Sequence, residues 1–509
     1  MTEQKFRFLS FKDWIPDPLR FWIYILFLLA FQFSNGMYFS AMSQMSGGLS
    51  LTMNDVKMLS YAMLMGQTMF FPLAFRLKFR FTNRTCLLSA ACGLALCNLI
   101  VPHVHNLLAL VFLCFVGGLI RLWGTFECLS SLMPKIAPTH NFALFLSFVF
   151  FIVLGVINLF DLICVRIIYY YRWEYLHYTA TILLGLVFLA AYFIMQSHRI
   201  APKMPLLGLD GYGFIPWSAF LLLLIFVAQY GNQLNWLHSP YIRAALGAAT
   251  LAFGFLLIRM NYFRHPFLDI SSFRSKHLTV ILWLFLFLGI LLEAKSVLQN
   301  IFTSGILQFD AINLSTAKLF EFAGSLTGAV TCWFALSRPN RPYKLMTFIG
   351  MGAVIFYTAA MYFLVSPQTN LEKLYLPLFF CGFGHLVIYI TLTVYCQAVT
   401  PFKNFFQVLC ILGLIRTGIA SPIGDAIYSR AFDGLISKHL ATLTGGFNAA
   451  QMQLQAVLGA MRELFGWSVV FGVMLLVLIS LAHFKEGATK SFLSLKNFYK
   501  KYSASEQNS

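Results

Sequence analysis

Charge is the scarcest commodity in this chain. Only 11% of its 509 residues are Asp, Glu, Lys or Arg, against about 25% in a soluble globular protein. No polar stretch is long enough to build a soluble domain, so length does not imply several of them. A G-x-x-x-x-G-K-S/T phosphate loop is missing, which argues against an ATP-driven pump. There is no HxxxH or HExxH array, and the one close histidine pair, His103 and His105, falls in a short loop. No resident metal or cofactor is therefore expected. A serine-nucleophile motif is also missing, which leaves an embedded enzyme little to work with. The 10 cysteines are scattered, most of them within apolar runs, with no CxxC pair. They read as small buried hydrophobes rather than a disulfide framework. Residues 1–18 lack the short apolar core and cleavage site of a signal peptide, so the first apolar run is expected to be a retained anchor.

What is present is hydrophobicity in long blocks. The chain is 59% hydrophobic, with a mean hydropathy of +0.75. About fourteen segments reach membrane length: 21–45, 55–77, 85–101, 106–133, 141–165, 174–195, 213–233, 241–259, 277–301, 313–336, 345–365, 374–397, 404–429 and 466–484. They are too long and too uniformly apolar for barrel strands, so helices are the expected spanning form. The expectation is an all-α polytopic membrane protein with 14 transmembrane helices.

The formal charge of +18 suggests nucleic acid until the cations are placed. With both termini in the cytoplasm, the inner side takes the tails and the loops after even-numbered helices. It collects Arg76, Lys78, Arg80, Arg84, Lys135, Arg338, Arg341 and Lys344 among many others. The outer side, with Lys57, Arg166, Arg172, Arg243, Lys373, Arg430, Lys438 and Arg462, holds about a third as many. This is a positive-inside bias, and the basic balance serves an anionic membrane surface rather than nucleic acid. The longest outer connection runs from Ala431 to Phe465 and carries a helical stretch, Ala449 to Leu464, expected to lie at the outer surface. The chain divides as a cytoplasmic N-tail (1–20), six helices (21–200), two central helices (201–265), six more helices (266–484) and a basic cytoplasmic C-tail (485–509). The basic loops after helices 2 and 10 recur as in a transporter built from repeats.

Four cations remain inside apolar runs: Arg121, Lys295, Lys318 and Arg416. A charge at such depth costs at least about 2.5 kcal/mol and marks a cavity or a functional site. Arg121 sits mid-run in the fourth segment. Glu127, six positions on, lies on another face and is not its simple helical partner; the cytoplasmic mouth is its expected place. Asp161, in the outer part of helix 5, is the first candidate for a protonatable group in that half, the bland alternative being an interfacial aspartate paired with Arg166. Glu293 and Lys295 near the outer end of helix 9, with Lys318 and Glu321 in helix 10, are expected to form a charge network at an outer gate. Lys318 and Glu321 have the i,i+3 spacing of a same-face pair. Arg416 is the second deep arginine, and His385 in helix 12 is a polar packing residue or a titrating one.

These pieces resemble the major facilitator superfamily, and within it the 14-helix drug:proton antiporters (6 + 2 + 6). The stretch from Phe71 to Arg84 is similar to the signature loop between helices 2 and 3, with Arg80 and Arg84 at its basic positions and Phe79 in place of its acidic one. Arg121 followed by Gly124 looks like the helix 4 motif, with Trp123 replacing the usual glutamine. Arg172 and Trp173 resemble the opening of helix 6. Asp210 to Gly213, with Trp236 to Ser239, is similar to the pattern around the two extra helices. Leu298 and Gln299 resemble the end of helix 9, and Gln407 to Asp425 the glycine-bearing helix 13. The glycine-rich antiporter motif of helix 5 is nearly gone, and Asn35 stands where helix 1 often has an acidic residue. The resemblance implies that Arg121 faces a cavity and is linked to proton exchange.

The expected function is secondary transport by alternating access, with proton-coupled export of small amphipathic or organic compounds as the leading form. The alternatives are a non-antiport facilitator or importer of a small organic solute, and a non-transporting receptor or scaffold. The excess of deep cations over deep acids tilts the substrate towards anionic or neutral amphipathic molecules. Partners would be the lipid bilayer, a small-molecule substrate, protons and, as for some relatives, a periplasmic adaptor; the expected location is the inner (plasma) membrane. Reporter fusions at the two termini and within 431–465 should show both tails on the cytoplasmic side and that segment outside.

Overall fold

The computed structural model describes residues 10–35, 37–138, 141–197, 210–263, 266–268, 276–338, 341–442, 448–482 and 484. Of the segments singled out above, residues 1–9 of the N-tail, residues 443–447 of the longest outer connection and the basic C-tail from Lys485 lie outside the described residues. Among those residues, 13 helices are long and apolar enough to cross a membrane. A first helix, α1 (Asp17–Phe33), is 17 residues long. The spanning helices are α2 (Met53–Arg80), α3 (Asn83–Ile100), α4 (Leu107–Ile136), α5 (Phe142–Tyr170), α6 (Glu174–Ile194), α7 (Gly211–Tyr230), α8 (Pro240–Tyr262), α9 (His277–Ile306), α10 (Ala311–Leu336), α11 (Tyr343–Leu364), α12 (Tyr375–Val399), α13 (Asn404–Thr442) and α14 (Ala449–Leu481). The protein is all-helical and polytopic, as its hydropathy demands.

The helix starts are written in the sequence as polar caps. Thr52 and Asp55 form a reciprocal capping box at α2. Asn106, Thr82, Asn141 and Asp210 each accept a backbone N–H at the starts of α4, α3, α5 and α7. In a bilayer these side chains satisfy donors that water cannot reach.

Two expectations about boundaries are corrected. The first segment does not run unbroken to residue 45: α1 stops at Phe33, and short helical pieces follow at Met37–Ser40 and Met42–Leu49. The stretch Ala449 to Leu464 is not a helix separate from the last span. It is the first half of the 33-residue helix α14, while α13 itself continues to Thr442. Polar residues in these halves, such as Arg430, Lys438 and Glu463, masked their helical continuation to a hydropathy reading.

Helices α1–α6 pack mainly among themselves, as do α9–α14. The two groups meet along α2 against α13 and α5 against α10 and α12, while α7 packs on α8, α2 and α13. Each group has one very close crossing at glycines. A Cβ on Gly66 would lie 2.0 Å from the Phe115 carbonyl oxygen, and one on Gly118 2.0 Å from that of Met63. In the other group, Gly324 and Gly382 would meet the carbonyls of Phe379 and Glu321 at 2.0 and 2.2 Å. Lipid is as apolar as the helix surface, so association rests on such close backbone packing. The α2–α4 crossing fixes Arg121, one turn along from Gly118.

Gly118→Leu should destabilise the protein in detergent by about 1–3 kcal/mol or more, because backbone must move. Gly185→Ala, where nothing lies within 4 Å, should be neutral or slightly stabilising in the same thermal unfolding assay.

Candidate functional site

Below, inner and outer follow the positive-inside pattern. At the outer end, two ion pairs cross from one helix group to the other. Lys57 of α2 reaches both carboxylate oxygens of Asp425 on α13, at 2.8 and 2.9 Å. Asp161 of α5 pairs with Lys318 of α10 at 2.8 Å and accepts a hydrogen bond from Ser40. Lys318 therefore does not pair with Glu321, as the i,i+3 spacing suggests. Glu321 is taken by Lys295 of α9, and Asp161 does not pair with Arg166. Helical spacing proposes neighbours, but a charge within a bundle pairs with whichever opposite charge a facing helix brings into ion-pair reach. Glu293 accepts from Ser421 of α13. Gly424 leaves it room, since a Cβ there would lie 2.9 Å from the Glu293 side chain.

The inner end is closed by different chemistry. Phe75 of α2 and Phe126 of α4 pack against Phe406 of α13, and Phe142 of α5 against Phe405, at ring-centroid separations of 4.0, 5.8 and 5.2 Å. Arg341 donates to Asn141 across the same interface at 2.9 Å. Lys78, which the topology puts among loop cations, is buried and pairs with Glu127 at 2.6 Å. Glu127 is thus neutralised inside the first helix group rather than open at a mouth. Of the two signature-loop residues, Arg80 is exposed, and Arg84 donates to the Tyr192 carbonyl at 2.8 Å and stacks over its ring.

Between these ends lie the two deep arginines. Arg121 is about 21 Å from the outer end of α4 by helical rise and only 1% exposed. Its one polar contact is the Met63 sulfur at 3.8 Å, and its Nη2 has no partner among the described residues. Beside it, Gln32 donates to Thr125 at 2.9 Å. Asn35 donates to Gln32 and to the Val153 carbonyl at 3.2 Å. Arg416 is half-buried and lies over the Tyr389 ring at 5.0 Å, with His385 edge-on to the same ring. Neither arginine has a carboxylate in ion-pair reach among the described residues. Helix α2 touches the surroundings of both, through Met63 and through the Thr68–Thr417 hydroxyl contact at 3.3 Å.

π-helical turns recur where these groups sit. They cover Phe151–Gly155 in α5, Lys295–Gln299 in α9 and Leu414–Ala420 in α13. The extra residue per turn re-aims Lys295 and Arg416, and the Val153 carbonyl that accepts from Asn35 lies within the α5 turn. No metal-binding cluster of His, Cys, Asp or Glu occurs among the described residues.

Several participants are not singled out by the sequence reading. Lys57 and Asp425 are 368 positions apart, and nothing local couples them. Asp55, which also accepts from Tyr230 of α7, reads as an ordinary helix cap. Gln32, Thr125 and Ser421 are neutral residues with no distinguishing spacing.

In a double-mutant cycle, Asp161→Asn and Lys318→Gln should show a coupling of about 0.5–3 kcal/mol in thermal unfolding. The pair Lys318 and Glu321 should show none.

No protein-family model matches the chain, and no curated protein sequence matches it. Solved structures do. The proton:xylose symporter XylE of the major facilitator superfamily, bound to 6-bromo-6-deoxy-D-glucose, matches with a TM-score of 0.55 at 12% identity, over 94% of this chain and 98% of that one. An auto-inhibited peptide transporter of the POT family gives 0.55 at 13% identity, over 93% and 99%. The human organic anion transporter MFSD10 gives 0.52 at 13% identity, over 91% and 98%. At such identities the likeness is one of fold: this chain has the fold of major facilitator transporters.

Proposed function

We propose that the protein is a secondary transporter of a small organic solute carrying an anionic group, and that Arg121 and Arg416 receive that group. The observation that carries this reading is Arg121. A guanidinium 1% exposed with an unpartnered Nη2 and no carboxylate nearby is too costly to keep without a use. The other embedded cations, Lys57, Lys78, Lys295 and Lys318, are each met by an acid. The surplus positive charge falls on one arginine in each helix group, which suits a solute bound between them near the midplane. Tyr389 and His385 beside Arg416 add an aromatic face for the rest of the solute.

Alternating access follows from the two closures. Outward opening must separate Lys57 from Asp425 and Asp161 from Lys318, while inward opening must part the Phe75, Phe126 and Phe406 cluster. The two ends differ in kind, so solute and ion state can bias one against the other. Proton-coupled export is the leading mechanism. Glu293, held by a serine rather than a cation, is the carboxyl best placed to exchange a proton, next to the Lys57–Asp425 closure through α13. The fold is shared with a proton:xylose symporter and with an organic anion transporter, and both coupling and anion transport are carried on it there. The lost glycine motif of helix 5 favours a second reading, a facilitator or importer without antiport. A periplasmic adaptor has no support in this geometry and forms no part of the proposal.

In proteoliposomes, Arg121→Ala should weaken binding or uptake of an organic anion about 10- to 100-fold, the effect of one lost charge-assisted hydrogen bond, with expression and thermal stability kept. Full activity would remove Arg121 from the site. Anion flux driven by an imposed proton gradient, and lost in Glu293→Gln, supports antiport; flux indifferent to the gradient supports the facilitator.

A further inference from the structure

The face between α5 and α10 holds a feature that solute transport does not use. A groove of about 340 Å³ lies there, lined by Ser147, Phe148, Phe151, Ala329, Val330 and Trp333, with Leu326 and Phe334 at its edge. That volume is in the range of small-molecule sites, about 300–1,000 Å³, but the lining is apolar apart from Ser147. Its α10 edge is a stripe at i, i+4 and i+8, with Leu326, Val330 and Phe334 at 42%, 46% and 67% exposure. The groove is therefore open laterally, towards the bilayer rather than water. It runs for about 12 Å along α10 by helical rise, in the inner half of the membrane.

At its inner end stands a cation with spare hydrogen-bonding capacity. Arg341 is 8% exposed. Its Nη2 donates to Asn141 Oδ1 at 2.9 Å and its Nη1 to the Tyr343 hydroxyl at 3.3 Å, but its Nε has no partner among the described residues. No carboxylate among the described residues meets it there. Asn141 caps the start of α5 by accepting from the Ala143 N–H at 3.1 Å, and donates to the Ser337 carbonyl at 3.3 Å. The same region thus combines a buried guanidinium that is not fully hydrogen-bonded, the positive end of α5 and the exposed Arg338, one turn beyond Phe334. Apolar groove and cationic head lie in line, about one to two helical turns apart.

We propose that this is a binding site for one anionic phospholipid of the inner leaflet. An acyl chain lies in the α5–α10 groove, and the phosphate pairs with the exposed Arg338, which continues the Leu326, Val330 and Phe334 stripe, with the buried Arg341 guanidinium and the α5 N-terminus adding positive potential behind it. Charge complementarity selects an anionic headgroup over a zwitterionic one, since no acid among the described residues offsets Arg338 and Arg341. Helices α5 and α10 belong to the two groups that must part on inward opening. A lipid that spans them favours the conformation closed at the inner end, by mass action.

The test uses the full chain, purified in detergent and titrated with phosphatidylglycerol or phosphatidylcholine. Native mass spectrometry should show one phosphatidylglycerol per chain, and that lipid alone should raise the thermal midpoint. Arg338→Gln should lower retention of phosphatidylglycerol about tenfold or more. Val330→Trp, at the open edge where folding is not at stake, should exclude the lipid while keeping the midpoint of the lipid-free protein. Equal retention of phosphatidylcholine, equal stabilisation by inorganic phosphate, or full phosphatidylglycerol retention in both variants would overturn the proposal.

Discussion

A charge inside a hydrocarbon slab has no water to turn to, so it must be met by another part of the same protein. Most of this structure can be understood from how that demand is answered. Lys78 finds Glu127, Lys295 finds Glu321, Lys57 finds Asp425 and Lys318 finds Asp161. The first two pairs are internal to one helix group and hold it together. The last two cross between groups and close the outer end. Arg121 and Arg416 stand outside this scheme, one in each group, and the functional reading rests on them.

The two closures differ in what opens them. Ion pairs such as Asp161–Lys318 are weak as net stabilisers but expensive to break on one side only. They make a closure that responds to protonation or to a competing charge. The Phe75–Phe126–Phe406 cluster at the other end has no such handle and yields only to a shift of the helices themselves. An acyl chain wedged between α5 and α10 is one way such a shift could be opposed.

Backbone irregularity serves the same chemistry. In α5 the π-helical turn contains Val153, whose carbonyl accepts from Asn35 beside the Gln32 contact. The π-helical turns in α9 and α13 change which face Lys295 and Arg416 present relative to the residues below them. The glycine crossings at Gly66–Gly118 and Gly324–Gly382 hold the scaffold close enough for these side chains to reach one another.

The sequence by itself determined the membrane, the helical class, most of the spans and the four cations too deep to be incidental. Those follow from local quantities: run length, hydropathy and the price of a lone charge. It read the helix starts well, because Asn106 or Thr52 caps a helix through bonds a few residues long. It missed that Ala449 to Leu464 is continuous with the last span and that the first helix breaks after Phe33, where polar residues and local backbone blur a hydropathy window. Tertiary structure alone decided the partners. Spacing put Lys318 with Glu321, yet the fold gave Lys318 to Asp161 and Glu321 to Lys295, and it joined Lys57 to Asp425 across most of the chain. An ion pair depends on distance in space and on burial, and neither is a property of neighbours in sequence. That is also why the isolation of Arg121, on which the proposed function rests, became visible only once the embedded lysines had been matched.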